Sequence, residues 1–132
     1  MSLQVKHMDG NIFEVSCRGH KIVVDQPLEE GGSDKGMSPI ELFNASLATC
    51  IAYYAVTFLR RRIPNIQGLT VKTDWQYADN PHRIVAIHLS LNVPHELAGP
   101  EAKGLQRYVE SSTIGNTLRS VPKINITIAS VK

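Results

Sequence analysis

Cys50 is the residue of this chain best suited to covalent chemistry, because a cysteine thiolate is a strong nucleophile. On a helix, three hydroxyl-bearing residues fall on the same side as this thiol: Ser46, Tyr53 and Thr57. Such neighbours are unusual for a cysteine that only fills space, although packing is the commonest role of a buried cysteine. The pattern leaves a reactive thiol and a structural thiol open as alternatives.

A reactive thiol requires a nearby cation or helix N-terminus, which lowers a cysteine pKa from its usual value of about 8.5. Cys50 lies about three turns after the predicted helix start at Ser38, which is too far for the helix dipole to help. The cation must then come from another part of the chain, and Arg18 is the candidate. Cys17, directly before it, lies on the apolar face of a predicted strand, where packing is its expected role.

Cys50 belongs to an uncharged stretch of 18 residues, Leu42 to Leu59, which three arginines follow. Its length is near the lower limit for a membrane span, but its polar residues and alanines favour a buried helix. The sequence Ser38-Pro39-Ile40-Glu41 is typical of a helix start, with an N-cap, a proline in the first turn and a capping box. Pro64 predicts an end near Arg62. We therefore expect a central helix over residues 38–63.

Strands are predicted on both sides of this helix. Alternating apolar residues predict two strands within Asn11–Val24, and the acidic, glycine-rich stretch Asp25–Met37 predicts a mobile loop. The element order predicts a single α+β domain over residues 1–132. It consists of strands and the loop over 1–37, the helix over 38–63, and a third part over 68–132. This third part has strands near 68–77 and 85–93, helices near 100–111 and 114–118, and a final strand near 123–131.

Composition excludes several function classes. The chain has 132 residues and a net charge of +2, which carries no field for gathering nucleic acid or anionic lipid. Its two cysteines are too few for a disulfide scaffold, and they lack the spacing of a metal site. The first ten residues contain no apolar signal segment. We therefore expect a cytoplasmic protein with no metal and with no nucleic-acid or membrane partner.

The central helix is apolar on nearly every side, so nearly every side must be covered. Large apolar residues, from Ile40 to Phe58, form one face, and a stripe of alanines forms another. One sheet in a small domain covers only one side. We therefore expect a homodimer with this helix at or near the interface. The alternative is that the second helix of the same chain supplies the cover.

The segment Gly31–Ala52, GGSDKGMSPIELFNASLATCIA, resembles the osmotically inducible protein C and organic hydroperoxide resistance (OsmC/Ohr) superfamily. The shared features are a glycine-rich loop, Ser-Pro at a helix start, Glu-Leu soon after it, and a cysteine three turns in. The sequence SSTIGNTLRS near the end resembles the second motif of that superfamily. The resemblance implies an intertwined homodimer in which two antiparallel-rich sheets wrap around long central helices.

The resemblance also implies a peroxidase in which Cys50 attacks an organic hydroperoxide and becomes a sulfenic acid. The second cysteine of the superfamily corresponds to Ser112, so the usual resolving thiol is missing. A one-cysteine enzyme is then expected, with no cofactor and with an external thiol or dithiol as reductant. Arg18 is the candidate for the catalytic arginine. Glu41 lies next to the position of the catalytic acid, but on one helix it would be ~13 Å from Cys50, so capping explains it better.

The predicted substrate-binding residues are Phe43, Ser46, Tyr53 and Tyr54, which surround Cys50 on the helix. They would hold a hydroperoxide or another apolar ligand beside the thiol. The alternative function is a non-catalytic dimer that binds a small apolar or electrophilic molecule at the subunit interface.

Overall fold

The computed structural model describes residues 1–130, and within them five strands and three α-helices. This is the α+β class that the sequence predicts. The elements form two compact units, Met1–Ser46 and the chain from Leu47 onward, so that the boundary lies within the long helix. The expectation of one domain over residues 1–132 stays a prediction. The elements are β1 (Gln4–Asp9), β2 (Ile12–Cys17), β3 (His20–Val24), α1 (Pro39–Arg60), β4 (Thr70–Ala78), β5 (Arg83–Asn92), α2 (Gly99–Glu110) and α3 (Thr113–Arg119).

The first unit contains an antiparallel sheet in the order β1-β2-β3. The predicted turn between β2 and β3 is present, with Cys17 paired to His20. Arg18 and Gly19 both have positive φ angles, 51° and 81°, which suits a two-residue hairpin turn. The sequence pattern does not indicate β1 as a separate strand, because apolar and polar residues alternate only weakly along Gln4–Asp9. In the structure all six of its residues are exposed.

The segment Asp25–Met37 is ordered, contrary to the mobile loop that its composition predicts. Asp25 is 1% exposed, and its carboxylate accepts hydrogen bonds from three backbone N–H groups. These belong to Gln26 (2.7 Å), Ser33 (3.1 Å) and Lys35 (3.0 Å). The Asp25 N–H in turn donates to the Met37 carbonyl at 3.3 Å. We call this segment the Asp25 loop; composition does not reveal a buried carboxylate that binds backbone across ten residues.

Two opposing effects act on the Asp25 carboxyl. Burial by itself raises its pKa, but the hydrogen bonds from Lys35, Gln26 and Ser33, with the charge of Lys35, outweigh burial. The pKa therefore lies below its ordinary value, and the ionised form is the one that holds the loop.

The predicted capping box at the start of α1 is confirmed. Ser38 N–H donates to the Glu41 carboxylate at 2.8 Å, and Glu41 N–H donates to the Ser38 hydroxyl at 3.3 Å. The helix ends at Arg60, slightly before the predicted position, because the N–H groups of Arg62 and Ile63 both bond to the Leu59 carbonyl in a tighter turn. By length and composition α1 is able to cross a membrane, a property that it shares with core helices of soluble proteins.

The second unit packs α2 against the last turns of α1. Its core consists of Ala55, Leu59 and Leu105, of which the first two are completely buried. The second helix of the same chain therefore covers this part of α1, as the alternative to a dimer requires. In the first unit, by contrast, Ile40 and Phe43 of α1 remain more than one-third exposed.

The antiparallel hairpin of β4 and β5 contains a bulge at one residue. Gln76 pairs with Ala86 and Tyr77 with Ile84, so Val85 has no cross-strand partner at this bulge. Val85 is apolar, like Ile87 and Leu89 at alternate positions of β5, but it is 52% exposed.

The predicted final strand over residues 123–131 is absent from the described chain. Residues 121–130 belong to no strand or helix, and Val131 lies outside the described residues. Ile124, Ile126 and Ile128 are 78%, 83% and 90% exposed. Alternation alone does not make a strand, because a strand requires a neighbour that satisfies its backbone groups.

Candidate functional site

Cys50 lies about three turns into α1, within the second unit. The residue is half-buried and its thiol is free. The helix places Leu47 and Ile51 about 60° and 100° around from it on one side. The thiol therefore lies on a surface between an apolar side of α1 and the side that carries Tyr53 and Thr57.

Tyr54 connects the Cys50 region of α1 to the start of α3. Its hydroxyl lies 3.0 Å from the hydroxyl oxygen of Thr113, within hydrogen-bond distance. Its ring contacts that of Tyr108 in α2 at a centroid distance of 5.4 Å and that of Tyr53 edge-on at 5.8 Å. Tyr53 itself is 68% exposed. Of the predicted substrate-binding residues, Tyr54 is thus the one held by neighbours from other helices.

The other predicted site residues belong to the first unit. The Ser46 hydroxyl donates to the Phe43 carbonyl at 2.7 Å, and Phe43 is 38% exposed. Glu41 serves in the capping box of α1, as expected. Arg18 lies in the β2–β3 turn and is exposed. The roles of Arg18 and Glu41 in chemistry at Cys50 stay predictions.

A cleft of about 690 Å³ opens within the second unit, a volume in the usual range for small-molecule sites. Most of its lining residues are apolar, and His95, Gln106, Glu110 and Arg119 add polar groups. Its walls come from α1, β5, α2 and α3. Two α1 residues line it, Leu47 and Ile51, which lie three residues before and one residue after Cys50. Neither is among the substrate-binding residues that the sequence predicts. We call this space the α1–α3 cleft. Its apolar lining is formed by Leu47, Ile51, Leu89, Leu91, Val93, Leu97, Ala102, Leu105, Val109 and Leu118.

Ser112, which the resemblance in sequence matches to the second cysteine of the superfamily, also lines the cleft and is 1% exposed. Its hydroxyl accepts a hydrogen bond from the Gly115 N–H at 3.2 Å and so caps α3. The Arg119 guanidinium lies nearby and donates to the Glu110 carbonyl at 2.6 Å. The position is therefore occupied by a structural hydroxyl that has no redox chemistry of its own.

No group of three or more His, Cys, Asp and Glu side chains within residues 1–130 is placed to hold a metal ion. The expectation that the protein uses no metal or cofactor stays a prediction.

Comparison with known proteins identifies the family. The model of the family described as OsmC-like protein matches residues 32–127. Among solved structures, an osmotic-stress-induced and detoxification-response protein of Psychrobacter arcticus has a TM-score of 0.81 at 19% identity, covering 89% of this chain and 87% of its own. An OsmC-like protein of Mycoplasma pneumoniae has a TM-score of 0.75 at 19% identity, covering 91% and 87%.

A third structure, an organic hydroperoxide resistance protein OsmC of Legionella pneumophila, has a TM-score of 0.63 at 19% identity and covers 90% of each chain. No curated protein matches this chain. At these identities the structures establish the fold, and the family model establishes the family. Because that model extends from the Asp25 loop through α3, this chain belongs to the OsmC-like protein family.

Proposed function

We propose that this protein is a one-cysteine peroxidase that reduces organic hydroperoxides in the cytoplasm as part of an oxidative-stress response. The observation that carries the proposal is the half-buried free thiol of Cys50 on α1, with α1–α3 cleft residues on the adjoining turns. The Legionella pneumophila protein of similar fold is described as an organic hydroperoxide resistance protein, which supports the choice of substrate.

In this reaction the Cys50 thiolate attacks the terminal oxygen of the hydroperoxide and the O–O bond breaks. Sulfur is oxidised to a sulfenic acid, while the remaining RO⁻ takes up a proton and leaves as an alcohol. Two equivalents of an external thiol, or one dithiol, then reduce the sulfenic acid to the thiol and release water and a disulfide. Ser112 is a serine and so offers no second thiol, and Cys17 is the other cysteine available for this step.

We further propose that the protein acts as a homodimer. Each described unit carries exposed apolar side chains that a second copy would bury. In the first unit Leu3, Val5 and Ile22 are about half exposed, and in the second the isoleucines of residues 121–130 are almost fully exposed. The backbone of residues 121–130 also has unpaired groups that an edge strand of another copy would satisfy. The expected result is a dimer by analytical ultracentrifugation, and a monomer at micromolar concentration would contradict it.

Mass spectrometry after one equivalent of cumene hydroperoxide tests the peroxidase proposal. We expect addition of one oxygen atom at Cys50 and production of one equivalent of cumyl alcohol. Cys50→Ser should abolish both, and Cys17→Ser should keep both as the matched cysteine variant. An unmodified Cys50 thiol together with unconsumed peroxide would contradict the proposal.

The α1–α3 cleft favours a second candidate function, the binding of a small apolar molecule without turnover. The fluorescent probe 1-anilinonaphthalene-8-sulfonate should then bind to the folded protein, and Cys50→Ala should keep that binding. Leu105→Arg, which places a charge on the wall of the cleft, should weaken it. Probe binding that Leu105→Arg leaves unchanged in a folded protein would contradict a ligand site in this cleft.

A further inference from the structure

The inference concerns Tyr54 and rests on the proposed peroxidase function. Tyr54 follows Cys50 by four residues in α1, so their Cβ atoms lie about 5–6 Å apart on the same side of the helix. A helical side chain leans toward the N-terminus and covers the turn before its own Cα. Helix geometry thus directs the Tyr54 side chain toward the turn that contains Cys50.

The hydroxyl of Tyr54 is held by a second hydroxyl. It lies 3.0 Å from the Thr113 hydroxyl, and Thr113 is the exposed first residue of α3. The Tyr54 ring also packs against the Tyr108 ring, at a centroid distance of 5.4 Å. Two hydroxyls thus form a connected pair that runs from the Cys50 side of α1 to a residue in contact with solvent.

The attack of a thiolate on an alkyl hydroperoxide creates a specific demand for a proton. The departing RO⁻ is a strong base, so the O–O bond breaks more easily when an acid donates a proton to that oxygen in the transition state. A tyrosine hydroxyl is among the side chains that supply such a proton.

We propose that Tyr54 is the proton donor to the leaving alkoxide, and that Thr113 returns the proton to Tyr54 from solvent. In the balanced step, Cys50–S⁻ takes the terminal OH of ROOH to become Cys50–S–OH. The O–O bond breaks, and RO⁻ takes the phenolic proton of Tyr54 to leave as ROH. In the same concerted relay the Thr113 hydroxyl passes its proton to the Tyr54 oxygen and takes one from solvent. This solvent proton balances the one that the Cys50 thiol released on ionisation, so Tyr54 and Thr113 both end as neutral hydroxyls.

The leaving group of the oxidant separates this role from simple positioning. tert-Butyl hydroperoxide releases a strongly basic alkoxide that needs a proton, whereas peracetic acid releases acetate, which leaves without one. In stopped-flow measurements, Tyr54→Phe should slow oxidation of Cys50 by tert-butyl hydroperoxide about 10²-fold. The same variant should leave the rate with peracetic acid unchanged.

Variants of the neighbours complete the test. Thr113→Val should slow the reaction with tert-butyl hydroperoxide selectively, and Thr113→Ser, which keeps the hydroxyl, should restore it. Tyr108→Phe is the matched control, since it removes a hydroxyl from the ring that packs on Tyr54 and should change neither rate. If Tyr54→Phe does not fold, Thr113→Val still carries the comparison, because it removes the outer hydroxyl alone.

Three outcomes would overturn the inference. Equal slowing with both oxidants would show that Tyr54 only shapes the site, and no slowing with either would show that it is dispensable. A wild-type protein whose Cys50 is not oxidised by either reagent would remove the proposed peroxidase function and this proton donor with it. If Cys50 of the wild type is oxidised but Tyr54→Phe affects both oxidants equally, the proton donor is excluded and the peroxidase function stands.

Discussion

Replacing Gly32 by alanine tests whether the Asp25 loop adopts the conformation described above. A Cβ at this position would lie 1.9 Å from the Gln26 carbonyl oxygen and 2.4 Å from its carbon. Ordinary contact begins near 3.4 Å, so the two backbone segments must separate by about 1.5 Å. Two hydrogen bonds cross this contact, from Gly32 N–H to the Pro27 carbonyl and from Asp34 N–H to the Gln26 carbonyl, both 3.1 Å long.

The expected cost follows from these contacts. Insertion of a methyl group into a closely packed site costs about 1–3 kcal/mol, and the loss of each backbone hydrogen bond about 0.5–1.5 kcal/mol. Gly32→Ala should therefore lower the free energy of unfolding by about 2–6 kcal/mol. Since a domain of this kind is stable by only about 5–15 kcal/mol, the change is large.

Urea denaturation followed by circular dichroism, at fixed protein concentration, measures the effect. The midpoint should fall while the m-value stays constant. Gly99→Ala is the matched control, because an added Cβ there meets no atom within 4 Å and the residue opens α2. The control should keep or slightly raise the midpoint. Equal midpoints for Gly32→Ala and the wild type would refute the ordered loop.

Three further predictions concern buried groups. The pKa of Asp25 is lower in the folded than in the unfolded protein, so ionised Asp25 stabilises the fold above about pH 4. This stabilisation is lost as the pH falls through the pKa that Asp25 has in the folded protein. In urea midpoints measured over a range of pH, Asp25→Asn should flatten this acid-dependent loss of stability. Leu59→Ala should lower the free energy of unfolding by about 2–5 kcal/mol in the same assay. The control Leu28→Ala, at a residue that is 70% exposed, should change it little. Equal effects of the two substitutions would contradict the core assigned here. Ser112→Ala should lower the free energy of unfolding by about 1 kcal/mol, because the N-cap of α3 is lost. The control Ser120→Ala, at the exposed C-terminal end of α3, should leave it unchanged. An unchanged midpoint for Ser112→Ala would contradict the cap.

Local signals predict much of this fold because they act over a few residues. The Ser38–Glu41 capping box and the uncharged stretch after it place α1 almost where it lies. The turn at Arg18 and the alternation on either side place β2 and β3 in the same way. The position of Cys50 on the helix follows from spacing alone, and the motif around it led to the family that the comparison establishes.

Long-range contacts decide the remainder. The Asp25 carboxylate orders a loop by binding N–H groups eight and ten residues away, and no property of an acidic, glycine-rich segment reveals that geometry. The bulge that exposes Val85 likewise depends on the partner strand, and so does the unpaired state of residues 121–130.

The candidate site divides in the same way. The sequence by itself determined that Cys50 is the candidate nucleophile, because of its residue type and the motif around it. Helix spacing determined which side of α1 it faces. Only the tertiary structure decided that Leu47 and Ile51 line a cleft and that the Tyr54 hydroxyl meets Thr113, 59 residues along the chain. The physical reason is that helical periodicity sets angles within one element, whereas the neighbours of a side chain depend on how separate elements pack.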